Sequence, residues 1–446
     1  MSRFAPAAAL VAVATLTLAA AALAQAPERL TLAQAVAIAS AKSPAVALAQ
    51  MRTAEADAKV GQSRAALLPS LSAQAAMIDR TFNLYALGFR FPSTPGSAPL
   101  AALQGPVYDS EARLKASQPL LDLSAMRKVQ ASRLGVLGAR ADLGVSAEAA
   151  AQAAALAYLR AARAEALLHA REQDLDLAKQ LVGLAEAQLA AGTSPAIDVT
   201  RARTQVAASR GAQLIARNQR DRSRIDLARA LGLDPSAPPL PADTLGAELG
   251  ASGAPLAEST AVAMALERRD EVRGEQARLA RARADRQATA IERLPRVDVS
   301  ADWGRSGEHF GNSINTYSAA LAVTVPLLDG FRREGRLAEQ GALVRESELR
   351  THDLRDQVAS EVSAALLDLG SGQEQQAVAS ERLGLAAAEV DQATERFTSG
   401  VAGGIEVIDA EFSLIQARDA DIDARFAIAS ARVALARAAG MARDIH

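Results

Sequence analysis

Two periods of hydrophobic spacing alternate along this chain. Over long stretches apolar residues recur at helical intervals, as at Leu177, Leu181 and Leu184 or at Ile408, Ile415 and Ile422, within segments rich in Ala, Leu, Arg, Glu and Gln, the strongest helix formers. No proline occurs between Pro119 and Pro195 or after Pro326, so nothing there interrupts a helix. A helix from about Ser132 to Leu189 runs roughly 58 residues, or about 87 Å at ~1.5 Å per residue, far thicker than one globular core. Heptad spacing and abundant alanine call instead for closely packed helical partners in a coiled coil.

Each long helix is expected to break once. The first break reads Gly192-Thr193-Ser194-Pro195-Ala196-Ile197-Asp198-Val199 and the second Gly400-Val401-Ala402-Gly403-Gly404-Ile405-Glu406-Val407. Glycine suits the left-handed residue that ends a helix, Ser194 is a capping residue for the next, and Pro195 fits a first turn. Both are read as tight turns of antiparallel helical hairpins, near 192–197 and 400–404.

Between the helical parts the period drops to 2. Leu71, Ala73, Ala75 and Met77 alternate with Ser70, Ser72, Gln74 and Ala76; Ala112, Leu114 and Ala116 alternate with Glu111, Arg113, Lys115 and Ser117. Later, Val297, Val299, Ala301 and Trp303 alternate with Asp298, Ser300 and Asp302, and Tyr317 to Val325 repeats the pattern. The alternation predicts four strands in two hairpins, at 70–121 and 296–330, each strand about 10 residues, a length that crosses a bilayer when tilted.

The chain also contains itself twice. Ala35-Val36-Ala37 and Leu68-Pro69 recur as Ala261-Val262-Ala263 and Leu294-Pro295 at an offset of 226. Pro119-Leu120-Leu121-Asp122 recurs as Pro326-Leu327-Leu328-Asp329 at 207, and Leu227-Ala228-Arg229-Ala230 as Leu435-Ala436-Arg437-Ala438 at 208. The length change of about 19 residues falls between 69 and 119, a loosely constrained loop. Residues 25–232 and 256–446 are therefore tandem repeats, joined by a proline-rich linker at 233–255 that reads as an irregular belt with no chemistry of its own. Residues 1–24, with Arg3, an apolar run and an Ala-x-Ala site, read as a secretory signal peptide.

Eight of the 14 aromatics, among them Phe82, Tyr85, Phe89, Trp303, Phe310 and Tyr317, fall in the two hairpin segments. Such clustering matches a lipid-water girdle. Four strands cannot close a barrel, and an open edge is not stable in lipid, so identical copies must supply the rest. Two copies give eight strands, filled by side chains; three give twelve, and a trimer is the smallest assembly that leaves a pore.

Taken in order and in duplicate, these motifs resemble the TolC-like outer-membrane efflux family over nearly the whole chain. The specific parts are LTLAQAVAIASAKSPAV, the segments around Leu68-Pro69 and Leu294-Pro295, the strand exits around Pro119 and Pro326, and the turn segments AGTSPAIDV and RFTSGVAGGIEVIDAE. The resemblance implies a mainly α protein with a membrane β-barrel: a homotrimer whose twelve-stranded barrel in the outer membrane of a Gram-negative bacterium continues as a long α-helical barrel in the periplasm. It implies a passive exit duct of a tripartite efflux or type I secretion system, opened by a periplasmic adaptor protein and an inner-membrane pump, proton-driven or ATP-driven. It further implies that Glu406, Asp409 and Asp198 ring the periplasmic aperture, with Arg201 standing where the second repeat has Asp409, a pair able to bridge the hairpins. The turns, with Gly192, Thr193, Ser194, Arg396, Phe397 and Gly400, are where the family meets its adaptor.

Composition removes other classes. The chain has no cysteine, hence no disulfide, thiolate site or lipid-bearing cysteine, and its 49 Lys+Arg against 51 Asp+Glu give no reason to expect nucleic acid as a partner. His169, His309, His352 and His446 lack metal-ligand spacing, and no nucleophile elbow or phosphate loop is present. No catalytic residue, metal or cofactor is expected. The remaining rival is an exported periplasmic coiled-coil scaffold with soluble hairpins.

Overall fold

In the computed structural model the described residues are 29–86, 88, 102–246 and 248–446. The expected signal peptide and Phe89 lie outside them. In chain order the first repeat contains β1 (Arg29–Leu30), α1 (Leu32–Lys42), α2 (Pro44–Ala65), β2 (Ser70–Asn83), β3 (Leu103–Leu121), α3 (Leu123–Ala190) and α4 (Ala196–Leu231). After β4 (Leu240–Pro241), the second contains α5 (Glu258–Arg268), α6 (Asp270–Ile291), β5 (Arg296–Gly307), β6 (Ile314–Thr324), α7 (Arg332–Thr398) and α8 (Gly404–Ala438). The chain divides into two units, one of residues 53–139 and 274–351, the other of residues up to 52 with 140–273 and 352–446.

The first unit holds an antiparallel sheet in the order β2-β3-β5-β6. The two hairpins join through β3 and β5, one from each repeat. Register carries the predicted alternation across all four strands: Ala73, Leu114, Trp303 and Tyr317 form one row, and Ser72, Lys115, Asp302 and Ser318 the adjacent row on the other face. On the apolar face Leu71, Leu114, Trp303, Tyr317 and Leu321 are all exposed. On the polar face the side chains satisfy one another: Lys115 Nζ donates to Gln74 Oε1 at 2.7 Å, Arg113 Nη1 to Asp302 Oδ1 at 2.6 Å, and Arg113 Nε to Glu111 Oε2 at 3.1 Å. Polar ladder inward and apolar surface outward is the arrangement of a barrel wall between water and lipid. β2 and β6 are the edges, and among the described residues nothing pairs with their outer sides.

The first hairpin is longer than expected, 14 and 19 residues against about 10. Its outer part breaks strict alternation at a bulge between Arg80 and Phe82, yet backbone ladder bonds do not require alternation, so pairing continues. The second hairpin, at 12 and 11 residues, stops at Thr324, so 325–330 lies outside the strand. Helix α3 starts at Leu123, not near Ser132, because Asp122 caps it: Oδ1 accepts from Ala125 N at 2.8 Å and from Ser124 Oγ at 2.9 Å.

The second unit is a helical core built on small side chains. Leu32, Ala35, Val36 and Ala39 of α1 pack with Ala151, Ala154, Ala155 and Tyr158 of α3, Leu227 and Leu231 of α4, and Val433 and Ala436 of α8. Alanine lets these backbones approach closely. The isoleucines Ile408, Ile415 and Ile422 are only half-buried; the packed stripe of α8 is Val407, Ala410, Leu414, Ala417, Ala424 and Ile428. The stretch 32–65 is apolar and long enough to cross a membrane by composition, but α1 ends at Ser43 and buries Leu32, Ala35, Val36 and Ala39 in this core.

Among the described residues the linker is irregular apart from β4. β4 pairs in parallel with β1, Leu240 opposite Arg29 and Pro241 opposite Leu30. Arg224 Nη2 donates to Pro238 O at 2.8 Å. The fully buried Tyr158 hydroxyl lies 2.8 Å from both Leu30 O and Asp243 Oδ2, and accepts from Ala242 N at 3.1 Å and Asp243 N at 3.0 Å. Asp243 Oδ2 also accepts from Leu32 N at 2.7 Å. The linker is thus a strap bolted to α3 through one hydroxyl, because backbone polar groups entering this core need partners there.

Candidate functional site

Both helical hairpins close with the same geometry. At the end of α3, Thr193 N donates to Gln188 O and Gly192 N to Leu189 O, each at 3.0 Å; at the end of α7, Val401 N donates to Arg396 O and Gly400 N to Phe397 O, each at 3.0 Å. This is a Schellman termination, and Gly192 and Gly400 occupy its left-handed position at φ 75° and 72°. Ser194 does not cap the following helix: its hydroxyl donates to Asp198 Oδ2 at 2.8 Å, and Pro195 holds the cap position without a side-chain bond.

The two turns lie against each other. Gln188 Nε2 donates to Thr398 O at 3.0 Å, and a Cβ on Gly404 would sit 3.3 Å from the Cβ of Asp198, a tight contact, so Asp198 packs closely on the start of the helix after the second turn. Beneath the turns Leu181, Ala185, Val199, Ala202, Val390, Phe397, Val407 and Leu414 form one core. Further along, Asp174 of α3 holds Arg171 and reaches Arg418 of α8, while Arg171 also reaches Asp419. Arg163 Nη2 meets Asp423 Oδ1 at 2.6 Å, so charge fastens α3 to α8.

The acids expected at an aperture have different surroundings. Glu406 pairs with Arg396 across its own turn, Nε to Oε1 at 2.8 Å. Asp409 is exposed and, among the described residues, has no ion-pair partner. Asp198 is 5% exposed, consumed by Ser194 and by Arg201, whose Nη1 is 3.5 Å from Oδ1. Arg201 therefore pairs with its own helix, one turn away, and the expected Arg201–Asp409 bridge between hairpins does not form within the chain. Of the turn residues expected to meet a partner, Gly192, Thr193, Arg396 and Gly400 are exposed, whereas Phe397 is 3% exposed; its ring is apolar filling for the core beneath the turn. In the girdle Trp303 faces Tyr317 directly across β5 and β6, both exposed like Tyr85 and Phe310, and half-buried Phe82 carries the Arg80 guanidinium 4.6 Å above its ring.

The sequence reading missed Glu411 and Tyr158. Glu411 is 3% exposed on the packed face of α8, and its Oε1 has no hydrogen-bond partner among the described residues. Burial foremost, then the negative charge of Asp174, pushes its carboxyl up to about 7. An acid one turn from both Val407 and Leu414 was visible as a polar intruder in an apolar stripe. A tyrosine isolated in the Ala-rich stretch of α3 was the corresponding sign for Tyr158.

A model of the family described as outer membrane efflux protein matches residues 35–233 and 261–441, both repeats. Protein CyaE of Bordetella pertussis is 27% identical over 393 residues, covering 86% of this chain and 78% of that protein. The pyoverdine export outer membrane protein OpmQ of Pseudomonas putida is 27% identical over 333 residues, covering 71% of this chain and 66% of that protein. Among solved structures, the outer membrane protein VceC of Vibrio cholerae superposes with a TM-score of 0.74 at 19% identity, over 92% of this chain and 96% of that one.

Proposed function

Because the chain belongs to the outer membrane efflux protein family, we propose that three copies of it form the outer-membrane exit duct of a tripartite efflux or type I secretion system. The observation that carries this reading is the four-stranded sheet, apolar and exposed on one face, internally hydrogen-bonded on the other, and open at β2 and β6. In lipid such a sheet needs its edges paired, and three copies joined β6 to β2 give twelve strands around a water-filled lumen. The duct does no chemistry. It offers cargo a polar path across the outer membrane, while a periplasmic adaptor and an inner-membrane pump, proton-driven or ATP-driven, supply selection and energy.

The aperture lies at the two helical turns. Threefold symmetry there gathers three copies each of Glu406 and exposed Asp409 around one axis, and like charges held close repel one another. Glu406 is restrained by Arg396, which leaves Asp409 as the free carboxylate of the ring; Asp198, buried against Gly404, serves as packing for the turn. The adaptor engages the exposed turn residues Gly192, Thr193, Arg396 and Gly400. Replacing Glu406 and Asp409 together by Ala and Asn is expected to raise single-channel conductance of the purified trimer in planar bilayers severalfold. Conductance identical to the wild type would remove both residues from the gate.

A further inference from the structure

Every strand of the sheet joins a helix within eight residues of its end, and each junction carries an arginine: Arg64 before β2, Arg127 after β3, Arg293 before β5 and Arg332 after β6. The four junctions stand at one level of the unit formed by residues 53–139 and 274–351. Ser63 Oγ of α2 lies 2.6 Å from Ser132 Oγ of α3, Lys128 Nζ of α3 donates to Glu292 Oε1 just after α6 at 3.2 Å, and Arg293 Nη2 donates to Glu334 Oε1 of α7 at 2.9 Å.

Positive charge is left over at this level. Glu292 is shared by Lys128 and Arg336, Glu334 is taken by Arg293, Asp329 by Arg333, and Asp122 caps α3. Arg64, Arg127 and Arg332 are exposed and, among the described residues, form no ion pair; Arg127 donates to the neutral Gln130 Oε1 of its own helix at 2.7 Å. At and just beyond the strand ends, on the way to these cations, apolar side chains stand exposed: Leu68, Leu120, Leu328 and Phe331. Phe331 takes the left-handed region at φ 63°, uncommon for a bulky residue, yet it is 74% exposed and so gains little packing within the chain.

Resting on the membrane reading of the sheet above, we propose that this basic collar binds anionic phospholipid headgroups of the periplasm-facing leaflet, with Arg64, Arg127 and Arg332 as the phosphate contacts. The exposed apolar side chains continue the lipid-facing surface of the sheet, and the arginines follow them directly. Six to eight residues, mostly turn and helix at ~1.5 Å per residue, place the arginine backbones roughly 10 Å beyond the strand ends. The headgroup layer is about 5–7 Å deep, and an arginine stem snorkels across the remainder. A guanidinium matches a phosphate with two parallel hydrogen bonds. An anionic headgroup also neutralises the surplus charge, which a zwitterionic one does not.

Reconstitution of the full-length protein tests this. In vesicles of equal parts phosphatidylcholine and phosphatidylglycerol, lipid retained on the wild type through detergent extraction is expected to be enriched in phosphatidylglycerol severalfold over the bulk, and the protein to melt higher than in phosphatidylcholine alone. High salt is expected to erase the enrichment, a reading that needs no variant. A cation near an anionic surface favours it about fivefold, so Arg64→Gln with Arg127→Gln and Arg332→Gln is expected to abolish both effects while leaving melting in phosphatidylcholine unchanged. Arg64→Lys with Arg127→Lys and Arg332→Lys is expected to keep most of both. No enrichment in the wild type, enrichment indifferent to salt, or enrichment that survives in the folded Gln variant overturns the collar. A wild-type protein that enters neither kind of vesicle overturns the membrane reading of the sheet itself.

Discussion

Enclosed by Val407, Ala410 and Leu414 along its own helix, Glu411 holds its proton more tightly in the folded protein than in an unfolded chain, where a glutamate titrates near 4.5. The stability it contributes is complete below about pH 4.5 and is lost as pH rises to about 7. Above that the helical core carries a buried carboxylate with an unpartnered oxygen. Glu411→Gln keeps the shape and removes the charge. The wild type is expected to melt lower at pH 8 than at pH 5, the variant to lose most of that difference, and the gap between them at pH 8 to correspond to about 2 kcal/mol. Equal pH dependence in the two proteins would show that Glu411 does not titrate in this range. The same scale explains why Phe397, expected to face the adaptor, and Asp198, expected at the aperture, are buried within the chain: motif position fixes which turn a residue belongs to, but packing of the neighbouring turn decides which way it faces.

Among the elements, the strap from β4 to Asp243 depends most on a single group. Tyr158→Phe removes the oxygen that accepts from Ala242 N and Asp243 N, leaving two amides without that acceptor at a cost of about 2 kcal/mol. A lowered melting temperature and faster proteolytic nicking between 233 and 246 are expected; unchanged protease resistance would mean the β1–β4 pairing holds the strap without the hydroxyl. The long helices were legible because proline is absent and helix formers are dense over more than sixty positions. The strap was not, since proline-rich composition records only the absence of a helix and says nothing of a buried hydroxyl that the preceding repeat supplies.

For the whole molecule, the open sheet sets the behaviour expected of the purified protein. A closed barrel of paired edges resists detergent because every backbone group is satisfied, so the unheated protein is expected to migrate as a trimer on a denaturing gel and the boiled protein as a monomer. A protein that partitions into the aqueous phase and migrates as a monomer unheated would contradict barrel closure. Strand number and the alternation of faces could be counted from the sequence, and closure by three copies follows from the minimum number of strands around a pore.

The amino-acid sequence by itself determined the elements, their duplication and their order: period, proline placement and turn glycines are local properties, written where they act. Tertiary structure alone decided that Asp198 and Phe397 are interior, that Glu411 is enclosed, and that Tyr158 bolts the strap. Each of these depends on groups far apart in the chain meeting in space, and burial, unlike helix propensity, is a property of the neighbours a residue acquires on folding.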